Sequence, residues 1–291
     1  MNARSNTISC QVLRRTGGVS AVGSLELLGE EPLSMRIDDQ PYAVVMRTPG
    51  EEIFHAAGFC LGEGIADTPD DFGTIGYCEN LDPNVIDVRL TPQRHAKIEA
   101  LLLRRGFVSQ TSCGICGKEM IADLCQEVIP VENGVAVDVD KIFECINKLS
   151  EHQKHYQTTR CSHAALIVGH QLEPISFAED VGRHNALDKA IGKAFLNRTL
   201  SQGNILVVSS RNSYELVQKA SRARLPIMIS HSRPTALAVE MGKALNMTLA
   251  FPAGDSELII VCGEQRIKNQ QSVRSIDHRA IAGGGVLEEG S

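Results

Sequence analysis

Hydrophobic and polar positions follow two different rhythms along this chain. From Ser24 to Met46 the text SLELLGEEPLSMRIDDQPYAVVM alternates apolar with polar residues, the period-two pattern of half-buried strands separated by polar turns. Its last five residues, Tyr42 to Met46, read as a short and mostly buried strand. RTPGEE then predicts a helix over about 49–62, with Thr48 as N-cap, Pro49 at the first helical position and Glu51 completing a capping box. A glycine inside a helix costs about 1 kcal/mol against alanine, so Gly58 points to close packing at that turn. Strands near 73–78 and 84–90 and a helix over 92–105 follow. Residues 1–20 read as loosely ordered.

The second half has a longer period. VAVDVDKIFECINKLSEHQKHY gives a short strand and then a helix that Asp138 or Asp140 can cap. HAALIVG and LEPISFAED read as a hairpin, followed by a helix over 184–197. NILVVSS, 204–210, is an apolar run of the kind buried on both faces. Helix 213–224, strand 226–230, helix 235–246 and the strands TLAF and ELIIVCG complete the pattern. Alternating strands and helices predict an α/β architecture with a parallel or mixed sheet and helices on its faces. The expected organisation is an N-terminal α+β domain over 20–108, a mobile cysteine loop and linker over 109–130, a larger α/β domain over 131–265 and a disordered tail over 266–291.

Composition narrows the class. The chain has 291 residues, 43% of them hydrophobic but only 4% aromatic and none tryptophan, so aliphatic side chains must fill the core. A formal net charge of −6 argues against nucleic-acid binding through a broad basic surface, while leaving room for a small basic pocket around a phosphorylated ligand. The nine cysteines are scattered and odd in number, unlike a secreted disulfide scaffold. No apolar run has signal-peptide length, and none reaches the ~18 residues of a membrane helix. The expected setting is a reducing cytoplasm, away from membranes, with most cysteines serving as small buried hydrophobes.

Candidate chemistry begins at QTSCGICGKEM, where Cys113 and Cys116 form the chain's C-x-x-C pair. A structural zinc site needs four ligands, and the other cysteines are isolated. A thioredoxin-type pair would follow a clear strand and open a helix. A third reading is sulfur carriage, in which an accessible thiolate holds a sulfane sulfur as a persulfide; Lys118 would favour the thiolate, and Gly114 and Gly117 would permit close approach. A plain turn is the fourth. EDVGRHNALDK, 179–189, crowds Asp180, Arg183, His184, Asn185, Asp188 and Lys189 around a helix start, either as a capped, solvated face or as an anion site. Ser209, Arg211 and Ser213 follow the buried strand, at the strand-to-helix turn where open α/β sheets bind ligands; helix capping by Ser213 is the plainer alternative. SHSRPTALA and AFPAGDS repeat the arrangement, so several such turns gather on one edge if the strands are parallel. No phosphate-loop, Rossmann or nucleophile-elbow motif is present.

Taken in order, RTPGEE with GFCLGEGI, SCGICGKE, EDVGRHNALDK, SSRNSYELVQKA and RPTALAVE resemble the formate dehydrogenase accessory sulfurtransferases, the FdhD family, over roughly residues 42–262. The resemblance implies a smaller N-terminal α+β domain, a cytidine-deaminase-like three-layer α/β domain with a mixed sheet, and a homodimer. It implies that sulfur passes from a cysteine desulfurase to the C-x-x-C loop and then to the molybdenum cofactor, a bis(molybdopterin guanine dinucleotide), destined for formate dehydrogenase. That cofactor would be a bound substrate, with no metal or cofactor held permanently. By motif position Cys113 would bear the persulfide with Cys116 as helper, and Phe251, Pro252, Ala253, Gly254, Asp255 and Ser256 would contact the cofactor. The helix N-termini carrying Arg183, His184, Asn185, Arg211 and Ser213 would hold it. Zinc deaminases carry H-x-E and P-C-x-x-C, and neither occurs here. The chain departs from the family's usual text at Arg160–Cys161, at Ser210 and at Ala253. A cofactor-binding chaperone without sulfur transfer and a thiol–disulfide oxidoreductase are the alternative activities.

Overall fold

A computed structural model describes residues 6–77, 82–105, 129–132 and 136–268. The chain opens with an antiparallel hairpin, β1 (Thr7–Thr16) and β2 (Val19–Leu28), in register from Thr7 opposite Leu28 to Thr16 opposite Val19. The sequence suggested loose order for residues 1–20. From Thr7 onward the structure corrects this, and its cause is the Gly17–Gly18 pair: both residues have positive φ, 56° and 84°, as a two-residue hairpin turn requires.

β3 (Glu31–Ile37), β4 (Gln40–Arg47), β5 (Phe72–Tyr77) and β6 (Val85–Leu90) form a sheet in the order β4-β3-β6-β5, with helices α1 (Glu52–Gly62) and α2 (Pro92–Arg105). The expected capping box does not form. Gly50 and Glu51 both take positive φ, so the helix starts at Glu52, and the Thr48 hydroxyl instead accepts from the Val181 amide at 3.0 Å. The Glu52 carboxylate accepts from the Gly50 amide and from Tyr77 Oη and pairs with buried Arg47.

The larger unit runs β7 (Val137–Asp138), α3 (Val139–His152), α4 (Lys154–Thr159), β8 (His163–Gly169), β9 (Pro174–Asp180), α5 (Arg183–Leu196), β10 (Gly203–Arg211), α6 (Tyr214–Arg222), β11 (Ile227–Ser232), α7 (Ala236–Ala244), β12 (Thr248–Pro252), β13 (Leu258–Cys262) and β14 (Ile267–Lys268). Its six-stranded sheet is mixed, ordered β13-β12-β11-β10-β8-β9, with β10, β11 and β12 parallel. β14 pairs with β7 and Arg266 is 1% exposed, so ordered chain continues past residue 265, where a tail was expected to begin.

Strand alternation sorts the core into two layers. Ala165, Ile167, Leu206, Val208 and Met228 face α5, α6 and, through them, α1 and the smaller sheet. Ala164, Leu166, Val168, Ile205, Val207 and Ile229 face α3, which buries Ile142, Cys145, Ile146 and Leu149 against them. The smaller sheet and the larger one meet where α1 crosses α5. At that crossing a Cβ on Gly58 would strike the Asp188 carbonyl oxygen, and one on Gly192 would strike that of Phe54. The close packing expected at Gly58 is therefore present, and it is reciprocal.

Candidate functional site

The EDVGRHNALDK segment divides its work between two faces. Asp180 is fully buried, and its carboxylate pairs with Lys189 Nζ at 2.7 Å and accepts from the amides of Thr48 and Gly182 at 3.0 and 2.8 Å. Asn185 Nδ2 donates to Asp180 Oδ1 and to the Met46 carbonyl, at 2.8 and 2.7 Å. Lys189 also donates to the Thr48 carbonyl, and Asp188 pairs with Lys219 at 2.9 Å. These residues tie the β4–α1 turn to α5. Asn185, a candidate cofactor contact, is 7% exposed and committed to this junction.

Arg183 and His184 lie on the other face, at the N-terminus of α5. His184 Nε2 sits 2.7 Å from Glu215 Oε2 in the first turn of α6, so the two helix starts are pinned together. This hydrogen bond holds Glu215 below the usual carboxylate range. Burial, and then the charge of Arg211, push the Arg183 guanidinium down from its ordinary value. Two guanidiniums near one carboxylate leave a cationic surplus beside two helix N-termini, each with amide N–H groups free to meet an anion. Ser213, the N-cap of α6, is 8% exposed with its hydroxyl unpaired, and Asn212 is fully buried with both amide atoms unpaired. Arg183, His184, Arg211 and Ser213 are thus neighbours at two adjoining helix starts.

The segment Phe251 to Ser256 lies at the same carboxyl edge, at the end of β12, which is separated from β10 by β11 alone. At ordinary strand spacing that is about 10 Å, within the span of one extended ligand. Gly254 takes φ 97° in an open turn closed by the Ala253 amide to the Glu257 carbonyl at 2.8 Å. Cys113 and Cys116 lie outside the described residues.

A cleft of about 620 Å³ opens beside this edge, on the α3 face of the sheet. Ser209 from β10 and His231 from β11 form its floor, Arg160 to His163 one wall, and Gln153 and Tyr156 from the α3–α4 hinge another. Glu179 fixes these walls, accepting from the His155 and Tyr156 amides and the Ser162 hydroxyl at 2.9, 3.0 and 2.7 Å. His163 connects cleft and cationic cluster: burial, Arg183 and His184 hold its pKa down, and its Nδ1 is 3.5 Å from Ser209 Oγ. Burial likewise lowers His231. Sequence reasoning did not single out Gln153, Tyr156, Cys161 or His231 as site residues. His231 carried a signal in its place in a polar turn after a buried strand, and Cys161 in its departure from the family's usual text; the α3–α4 hinge reaches the cleft through tertiary packing that no local pattern records.

Comparison with known proteins agrees with this architecture. The FdhD/NarQ family model matches residues 28–268. A sulfur carrier protein FdhD of Anaeromyxobacter dehalogenans strain 2CP-C is 35% identical over 267 residues, covering 87% of this chain and 91% of that protein. The protein of the same name from Streptomyces avermitilis is 32% identical over 267 residues, covering 88% and 94%. A crystal structure from Desulfotalea psychrophila, described as a formate dehydrogenase accessory protein, superposes with a TM-score of 0.72 at 20% identity, covering 91% of this chain and 100% of that one. At that identity the match speaks to the fold.

Proposed function

The chain belongs to the FdhD/NarQ family, and on that premise we propose that it is a sulfur carrier that serves a formate dehydrogenase. In this reading a cysteine desulfurase delivers sulfane sulfur to Cys113, with Cys116 as helper, in the cytoplasm. The thiolate attacks the outer sulfur of the donor persulfide, the donor leaves as thiolate, and Cys113 holds the sulfur until it passes to the bound molybdenum cofactor, a bis(molybdopterin guanine dinucleotide). The observation that carries the reading is the cationic edge of the large sheet. Arg183, His184 and Arg211 beside two helix N-termini, with the unpaired Ser213 hydroxyl, suit the phosphates of a dinucleotide. The Phe251 to Ser256 turn would take a more distant part of the same ligand. A homodimer belongs to this reading, and the exposed apolar face of the β1–β2 hairpin (Ile8, Val19, Leu25 and Leu27) offers it a surface.

The test is mass spectrometry after incubation with a desulfurase and cysteine. The tryptic peptide 106–118 of the full-length protein should gain about 32 Da, the mass of one sulfur. Cys113→Ala should lose that adduct and fail to activate the client dehydrogenase while still binding cofactor. Full client activation by Cys113→Ala would overturn sulfur carriage and leave a cofactor-binding chaperone.

A further inference from the structure

The cleft beside the cationic edge contains a thiol of its own. Cys161 is exposed on its wall, whereas Cys60, Cys145 and Cys262 are buried and Cys10 is half-buried on the hairpin. Burial raises the thiols of Cys60, Cys145 and Cys262 above their ordinary value, which leaves them poor nucleophiles. Among the described residues Cys161 is therefore the most exposed thiol.

Its surroundings are prepared for a ligand. Gln153 is 5% exposed and lines the cleft, yet its side-chain amide enters none of the hydrogen bonds among the described residues. His231 Nε2 is buried and unpaired on the cleft floor. A buried polar group without a partner costs about 1–3 kcal/mol, so His231 Nε2, with the Gln153 amide on the cleft wall, marks a place where a polar guest completes the hydrogen bonding. Among the described residues no carboxylate lines this cleft, and Arg160 stands next to Cys161 with its guanidinium over the Tyr156 ring. Anionic sulfur is thus met by donors and a cation and by no lining carboxylate.

We propose that this cleft is a second sulfur-holding site, in which Cys161 accepts a sulfane sulfur from a persulfide donor and keeps it beside the anion-binding edge. The proposal rests on the sulfur-carrier reading above, since that activity supplies the persulfide. The Cys161 thiolate attacks the outer sulfur of R–S–SH. The donor's S–S bond breaks as the new Sγ–S bond forms, R–S⁻ leaves, and Cys161 becomes a persulfide. The proton of the Cys161 thiol passes through a neutral cleft imidazole, His163 or His231, to the departing thiolate. Sulfur is transferred with no net oxidation, so no further reactant is required. Gln153 and His231 would then stabilise the terminal sulfur.

Glutathione persulfide added to the full-length protein tests this. Trypsin separates the relevant thiols: Cys161 lies in peptide 161–183, Cys113 and Cys116 in 106–118, and Cys10 in 5–14. The expected result is an adduct of about 32 Da on 161–183, formed faster than any on 5–14. Gln153→Ala and, independently, His231→Gln should each slow or destabilise that adduct roughly tenfold, the size of one hydrogen bond, without changing labelling of 106–118. Matching far-ultraviolet circular dichroism and melting curves would show that at least one variant is folded. Equal labelling of 5–14 and 161–183, or rates unchanged in a folded variant, would make Cys161 an ordinary surface thiol and overturn the proposal. An adduct confined to 106–118 overturns it while leaving the sulfur-carrier reading intact. An adduct confined to 161–183 supports it and removes Cys113 as the carrier.

Discussion

Several charged side chains in the family-like motifs hold the fold together, and their substitution should be read as a loss of stability. Lys189 and Asp180 are a buried ion pair whose remaining valences are used by Thr48, Gly182 and Asn185. Lys189→Met leaves a buried carboxylate without its counter-charge and should cost about 3–5 kcal/mol, read from the midpoint of urea unfolding. Glu215 behaves differently because it is only partly buried. Its folded pKa is depressed, first by the His184 hydrogen bond, so its stabilising contribution is present above the unfolded value near 4.5 and disappears as pH falls through the lower folded one. Melting temperature measured against pH should therefore show a shallower acid limb in Glu215→Gln than in the parent. At this scale the sequence was informative about which residues mattered and less so about why. Thr48 looked like a local cap and is a contact to residues 180–181, because positive φ at Gly50 and Glu51 delays the helix. Asn185 looked like a ligand contact, and its amide serves Asp180 and Met46. Tertiary partners more than a hundred residues away leave no trace in spacing.

Elements were easier to read than residues, since period and length decide them. The buried run of β10 and the alternation of β3 are direct images of two-faced and one-faced burial. The same alternation places Ser209 and His231 on the α3 face, continuing Ile205, Val207 and Ile229. The β1–β2 hairpin was missed because its strands are largely exposed, and the signal lay in Gly17–Gly18 rather than in an apolar period. The α1–α5 crossing was half legible: Gly58 stood out inside a helix, but its counterpart Gly192 did not. Gly58→Ala puts a methyl group against a backbone carbonyl that cannot rotate away. It should destabilise by about 3 kcal/mol, the upper end for overpacking, and Gly192→Ala by a similar amount in thermal or denaturant unfolding.

For the whole molecule, the apolar face of the hairpin is the feature a single copy leaves unsatisfied. A two-stranded ribbon is marginal alone, and this one exposes Ile8 at 62% and Val19 at 70%. If the proposed homodimer covers it, Leu25→Lys with Leu27→Lys should shift sedimentation toward monomer at micromolar concentration while the two sheets stay folded; an unchanged sedimentation coefficient would place the dimer contact elsewhere. The architecture was legible at this scale because alternating strands and helices dictate a mixed, helix-covered sheet. The joining of its two sheets was not, since it depends on the notch between α1 and α5 and on the buried contacts from Met46 and Thr48 to Asp180, Asn185 and Lys189. That notch constrains inheritance as well as stability. A chimera that takes residues up to α1 from one family member and α5 from another must receive glycine on both sides of the crossing. A side chain at either position meets the other helix's backbone carbonyl, so each half carries its own glycine requirement into the junction.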